Sequence, residues 1–240
     1  MKINKELFVN YLLKATINDN IVEGTIDFNE KNICFNSTTP DNNVAINCTL
    51  DIKKIIDYKP LGKVSFNNLK LLRKTIARFG ESFSIELRDN LVIISDDKKS
   101  CEILLVENDY IKVIPERIFT MEFTNNFQMD KSIINEAVQN AEALSLKEKI
   151  FYIDLEGDNI KITCGDYHSN RFIINEKIAG IVVKQSLIVG NYLAEVVNIL
   201  SGTIKVFVEI NKPLKITEDF NNGEIQTILF IALRVVNNDN

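Results

Sequence analysis

Thr25-Ile26-Asp27-Phe28-Asn29-Glu30-Lys31-Asn32-Ile33-Cys34-Phe35 returns 127 positions later as Tyr152-Ile153-Asp154-Leu155-Glu156-Gly157-Asp158-Asn159-Ile160-Lys161-Ile162, with the same apolar alternation around the same turn. The amphipathic run ending at Phe79-Gly80 likewise reappears as the run ending at Ser201-Gly202, again with strand patterns after it. A fixed internal period marks one design written more than once. It predicts two similar halves and a symmetric object in preference to a cleft built for one reaction.

The 240 residues suffice for two domains of roughly 115 residues, each large enough for its own core. Apolar spacing predicts helices at about 5–15, 66–79, 131–144 and 190–200. In the third, Ile133, Ile134, Ala137, Val138, Ala141 and Leu144 recur at helical spacing with polar residues opposite. Period-two stretches fill the intervals: 21–28, 32–37, 44–50, 83–87, 91–95 and 101–106, then 150–155, 159–164, 171–175, 204–210, 214–217 and 226–234. Each half therefore reads as two copies of a helix followed by about three strands, an α+β fold of curved antiparallel sheets with helices on one side. The stretch 107–124 fits neither pattern and carries Pro115, so it reads as a connector between domains at 1–106 and 125–240. The strands at 101–106 and 171–175 are the expected exposed edges.

Several functions lose their chemical basis here. The single histidine, His168, sits beside Tyr167 in a turn between strands and reads as a solvated residue, which leaves no histidine triad or paired-histidine metal site. The nine glycines form no phosphate-binding loop. Cys34, Cys48, Cys101 and Cys164 lie in strand-like segments without metal-ligand spacing and read as reduced core residues. Asp154, Glu156 and Asp158 align with Asp27, Asn29 and Lys31 of the first repeat, so they read as a strand corner in preference to a magnesium site. No cofactor and no catalytic activity are expected, and an enzyme built on an unrecognised carboxylate site is the weaker rival. No apolar run approaches the roughly 18 residues of a membrane span, and the start carries no signal peptide pattern. The expected location is the cytoplasm of a bacterial, archaeal or phage-infected cell, or the nucleus for a eukaryotic or nuclear-replicating viral source.

Net charge is −5, unevenly placed: 16 Lys/Arg balance 16 Asp/Glu over residues 1–112, while 12 face 17 over residues 113–240. Against that background the run 66–79 stands apart. Leu69, Leu72, Ile76 and Phe79 fall within about 80° of one another at 100° per residue, and Lys70, Arg73, Lys74 and Arg78 take the opposite arc with no acid among them. A one-signed face on an acidic chain predicts contact with a polyanion, through phosphates and hence independent of base sequence.

The duplicated plan, the connector Val113-Ile114-Pro115-Glu116-Arg117-Ile118-Phe119 and the ending Phe230-Ile231-Ala232-Leu233-Arg234 resemble the DNA polymerase sliding clamps of the proliferating cell nuclear antigen type. The opening Met1-Lys2-Ile3-Asn4-Lys5, with Leu12-Leu13-Lys14-Ala15-Thr16-Ile17-Asn18 after it, is similar to the clamps of tailed phages. The resemblance spans the whole chain. It implies a DNA clamp fold with sheets outside and helices inside, and a homotrimeric ring around double-stranded DNA. Such a ring is a processivity factor without catalytic activity, opened by a clamp loader and used by a DNA polymerase and other DNA-processing proteins.

By position, the resemblance makes Lys14, Lys70 and Arg73 DNA-facing, with Lys74 and Arg78 extending that face. It makes Ile114 and Phe119 the connector side of a partner-peptide pocket, Pro213 its strand edge, Phe230 and Ala232 its C-terminal wall and Thr38 a loop position at its margin. Ordinary packing is the other reading of Ile114, Phe119 and Phe230. Two departures stand out. The helices at 131–144 and 190–200 offer one clearly placed cation, Lys131, and Leu233 stands where the family has proline. The alternative function is a clamp-derived regulatory ring subunit, of the transcription co-activator or checkpoint type, with the same fold.

Overall fold

Each helix begins at an Asn or Asp. In the computed structural model, which describes residues 1–108, 111, 114–146, 148–165, 170–181 and 184–234, α1 (Lys5–Ala15) starts where Asn4 Oδ1 accepts the Leu7 amide at 3.0 Å. Asn68 does the same for Leu71 in α2 (Leu69–Ile76) at 2.8 Å, and Asp130 for Ser132 in α3 (Lys131–Ala143) at 2.8 Å. Each cap satisfies an amide that the helix leaves unpaired. Before α4 (Tyr192–Val197), Asn191 instead accepts the Lys149 amide at 2.6 Å.

Directly ahead of each helix lies a short strand that the period-two reading passed over: β1 (Lys2–Asn4), β5 (Gly62–Phe66), β9 (Asn125–Asp130) and β14 (Gln185–Val189). The repeating unit is therefore strand–helix–three strands. The trailing strands are β2 (Gly24–Phe28), β3 (Asn32–Thr38) and β4 (Val44–Asp51) after α1, then β6 (Ser82–Arg88), β7 (Leu91–Ser95) and β8 (Ser100–Leu104) after α2. β10 (Phe151–Glu156), β11 (Asn159–Gly165) and β12 (Arg171–Lys177) follow α3, with a short β13 (Ala179–Ile181) ahead of β14. β15 (Thr203–Val208), β16 (Leu214–Phe220) and β17 (Ile225–Ile231) follow α4.

The lead strands are exchanged between repeats. β1 pairs with β6, placing Ile3 opposite Phe83, while β5 pairs with β2, placing Val64 opposite Ile26. The second half repeats the exchange: β14 on β10 with Leu187 opposite Ile153, and β9 on β15 with Met129 opposite Ile204. All eight of these side chains are buried and all four ladders are antiparallel. The resulting order is β1-β6-β7-β8 and β5-β2-β3-β4 in the first half, and β12-β11-β10-β14 in the second.

The chain divides into two compact units, Met1–Phe119 with Asp219–Thr227, and Thr120–Glu218 with Ile228–Asn240. In the first, α1 buries Leu7, Phe8, Tyr11, Leu12 and Ala15. Phe8 meets Phe83 edge-on at 5.8 Å, and Phe79 stands 6.3 Å from Phe83. In the second, Ile134, Ala137, Val138 and Ala141 of α3 and Leu193, Val196 and Val197 of α4 form the buried faces. The predicted hairpin pair is β2–β3 and β10–β11, with Ile26 opposite Phe35 and Ile153 opposite Ile162. β8 and β12 each end a sheet, with Leu104, Phe172 and Ile173 exposed.

Two helix boundaries differ from expectation. The run 66–79 loses its first residues because Phe66 ends β5 against Gly24, and Arg78 lies in the turn after the helix. The run 190–200 shortens to Tyr192–Val197. The four cysteines are free. Among the described residues no helix is long and apolar enough to cross a membrane. His168 and Tyr167 lie outside the described residues.

Gly24 is the most tightly enclosed glycine of the first unit: a Cβ there would stand 2.5 Å from the Phe35 ring, which is fully buried. Gly24→Ala is expected to lower stability by about 1–3 kcal/mol through overpacking, read as a lower urea midpoint. An unchanged midpoint would show that the Phe35 ring has room to move.

Candidate functional sites

The cationic face of α2 forms because its apolar stripe is fully used. Leu69, Leu72, Ile76 and Phe79 are buried, which turns Lys70, Lys74 and Arg78 to solvent. Two cations not singled out in the sequence join them. Lys5 Nζ donates to the Phe79 carbonyl at 3.2 Å, and Lys99 Nζ donates to the Arg78 carbonyl. Both sit where a helix presents unpaired carbonyls and the negative end of its dipole. They arrive from α1 and from the β7–β8 turn, so no local pattern announces them.

Arg73 differs from its neighbours. Its Nε and a terminal NH2 donate to Asp19 at 2.9 and 2.6 Å, a bidentate pair, and Lys70 Nζ stands 3.7 Å from the same carboxylate. The expected acid-free arc thus gains an acid from the loop after α1. Ile17, Asn18 and Asp19 occupy left-handed backbone at φ 48°, 55° and 70°, which swings Asp19 back onto α2. The Asn18-Asp19-Asn20 run was the available signal, since Asn and Asp tolerate that conformation. The hydrogen bond from Arg73 holds the Asp19 carboxyl below the usual range against the opposing effect of burial.

Lys14 requires correction as a DNA-facing residue. It is 5% exposed, with Nζ 4.6 Å from the centre of the Phe220 ring. α1 is buried around most of its circumference, so the cation packs inward and offers nothing to a phosphate. In the second unit, Lys131 Nζ donates to the Leu200 carbonyl at 2.6 Å, while α3 exposes Ser132, Glu136, Gln139, Glu142 and Ala143, with no cation among them. The basic face belongs to α2 and its surroundings.

A second feature is a cavity of about 740 Å³ within the second unit. One side is β14 with Lys184 and Leu187, a second is the turn Ile210–Pro213, and a third is Ala232–Arg234. The third wall is fixed by the Arg234 amide, which donates to the Ile188 carbonyl at 2.9 Å. The turn is tied to the end of the connector: Glu209 accepts the Thr124 amide and hydroxyl at 2.9 and 2.7 Å, and Lys212 Nζ donates to the Glu122 carbonyl at 2.7 Å. Phe123 rests 6.1 Å from Phe207 and 6.3 Å from Phe230, with Lys215 Nζ 4.7 to 5.5 Å from the three ring centres. Burial, with Lys205 nearby, pushes the Lys215 ammonium pKa down.

Of the residues proposed for a partner pocket, the structure brings Pro213 and Ala232 together as walls of this cavity. Phe230 is buried and packs on Phe123, which makes it a support in place of a wall. Thr38, Ile114 and Phe119 belong to the first unit. Thr38 donates to Asn42 at 3.2 Å, Ile114 is 6% exposed and Phe119 is half-buried. The carboxylates weighed as a metal site have protein partners: Asp154 accepts from Ser186 at 2.6 Å and Glu156 from Lys184 at 2.9 Å. Ile210, 70% exposed on the cavity lip, was missed because an isoleucine at a strand end reads as core.

No family model matches the chain, and no curated protein matches its sequence. Solved structures do. A chain of the complex between the C-terminal region of FEN-1 and A. fulgidus PCNA superposes with a TM-score of 0.78 at 13% identity, over 98% of this chain and 97% of that one. A chain of the PCNA2–PCNA3 complex from Sulfolobus tokodaii gives 0.76 at 14% identity, over 97% and 98%. The architecture is the clamp fold of proliferating cell nuclear antigen, along essentially the whole chain.

The Asp19–Arg73 pair carries a pH signature. A depressed carboxyl contributes stability that is present above its unfolded value, near 3.9, and lost as pH falls through the folded value. Asp19→Asn keeps a residue suited to left-handed backbone and is expected to cost about 1 kcal/mol at pH 7. That deficit should narrow as pH is lowered from 7 to 3, into the range where the carboxyl begins to protonate. Urea midpoints at the two pH values measure it, and an equal gap at both would show that the ionised pair contributes nothing.

Proposed function

We propose that this chain is a DNA sliding clamp, a processivity factor that encircles duplex DNA and tethers a replicative polymerase and other DNA-processing proteins. The observation that carries the reading is a clamp fold over 98% of the chain combined with the exposed cations Lys70, Lys74 and Arg78 on α2 and the turn after it. A ring holds DNA by topology, so its wall needs only weak, screened phosphate contacts that permit sliding. Lys70, Lys74 and Arg78 are long and exposed to solvent, which suits that demand. A net charge of −5 keeps the remaining surface from adhering to phosphate. No bond is made or broken in such a role.

Ring closure is proposed through head-to-tail antiparallel pairing of β8 on one copy with β12 on the next. Both are sheet edges carrying exposed apolar side chains, and such edges invite pairing. The S. tokodaii structure, a complex of two PCNA chains, supports self-association, and the FEN-1 complex supports binding of partner segments. Native mass spectrometry at micromolar concentration should report three times the 27.4 kDa of one chain. A strict monomer would defeat the homotrimer.

Replacing Lys70, Lys74 and Arg78 together by Glu should abolish most loader-dependent primer extension on circular template. Folding should survive, since exposed substitutions away from the core cost within about 0.5 kcal/mol each. Undiminished synthesis would reduce this face to a solvated surface. Absence of extension by the wild type with its cognate loader and polymerase would instead favour the regulatory ring subunit.

A further inference from the structure

We infer that the cavity of the second unit receives a partner segment whose apolar anchors are flanked by acidic residues; this charge preference rests on the clamp reading and deepens it. The floor and lip are aliphatic, formed by Leu187, Ile210, Pro213, Ala232 and Leu233. Ile210 is 70% exposed, a cost in water that a docked side chain relieves. The charged lining is of one sign. Lys184, Lys212 and Arg234 line the cavity and, among the described residues, no carboxylate does, in a chain of 33 Asp/Glu against 28 Lys/Arg.

The carboxylates facing these cations come from outside the cavity: Glu156 on Lys184 at 2.9 Å, Glu209 on Lys212 at 4.0 Å and Glu148 on Arg234 at 3.1 Å. Solvated pairs of this kind contribute little and exchange readily, so an incoming carboxylate can take over each cation as it docks. Arg234 is seated for this role. Its chain lies over Gly190, where an added Cβ would stand 3.2 Å from Nε. Two further cations stand on β15 and β16: Lys205 and Lys215 lie 5.0 and 4.7 Å from the Phe207 ring centre, and neither forms an ion pair among the described residues. A peptide is favoured over single-stranded nucleic acid because the concave part is aliphatic. Among the described residues no aromatic ring lines it, and bases need such rings to stack on.

The test uses a displayed random-peptide library selected on the full-length chain, with counter-selection on Ile210→Ser. The expected result is a set of peptides with apolar anchors and enriched Asp/Glu that lose binding to Ile210→Ser. In fluorescence anisotropy, changing those acids to Asn/Gln should weaken binding about tenfold at low salt. The gap should narrow to about threefold or less on the Lys184→Gln/Arg234→Gln variant. Lys212 is left in place there because it holds the connector through Glu122. Peptides that depend on Ile210 but carry no acidic enrichment would overturn the charge preference and leave the partner cavity standing. A library that yields no binder sensitive to Ile210→Ser would remove the cavity as a partner site and the proposal with it. Tighter binding of a single-stranded oligonucleotide, displacing the peptides, would assign the surface to nucleic acid and overturn the proposal too.

Discussion

No repeat of this chain completes its own sheet. Each lead strand crosses to the other repeat of its half, and the helix that follows it is carried along. Ile3 on Phe83 and Ile26 on Val64 are the buried pairs that lock the first exchange, and Leu187 on Ile153 and Met129 on Ile204 lock the second. A single strand–helix–strands copy would leave one edge unpaired and one apolar face open, so the stable object is the interlocked pair. The surfaces left over include the polar faces of the helices and the sheet edges at β8 and β12.

The charge pattern follows from that packing. α2 and the turn after it bury Leu69, Leu72, Ile76 and Phe79, and what remains outward includes Lys70, Leu71, Lys74 and Arg78. Arg73, at the margin of the same helix, is neutralised by Asp19 and turned to holding the loop after α1 against α2. α3 has the same construction with Glu136, Gln139 and Glu142 outward, so the two units share a scaffold and differ in the electrostatics they present. Duplication conserves what packs, and it leaves the solvated arc free to diverge.

Much of this was legible in the residues. α1 and α3 appear within a residue of their expected bounds because each has a continuous apolar stripe. The paired hairpins were visible because alternation around a turn survives duplication. The lead strands were not legible. Lys2–Asn4 is too short to show a period, and Asn125–Asp130 shows two inward residues among polar ones; each gains its meaning from a partner strand far along the chain. The sites divide in the same way. The face of α2 was readable from one helix, whereas the inward turn of Lys14, the reach of Asp19 and the lip formed by Ile210 depend on contacts that no local pattern encodes. Pro213 and Ala232 meet in one cavity because β14 carries the 232–234 segment beside the 210–213 turn.

Strand exchange also sets an order of events during synthesis. During synthesis β1 leaves the ribosome well before β6, yet the partner of Ile3 is Phe83, so β1 must wait for most of a unit to follow it. Until then α1 has a short unpaired strand at its head and an apolar face to shelter. Closure of the first unit is a late, long-range step of the kind that slows folding and rewards protection by chaperones. The plan that gives the finished protein its symmetry leaves the nascent one incomplete for most of each half.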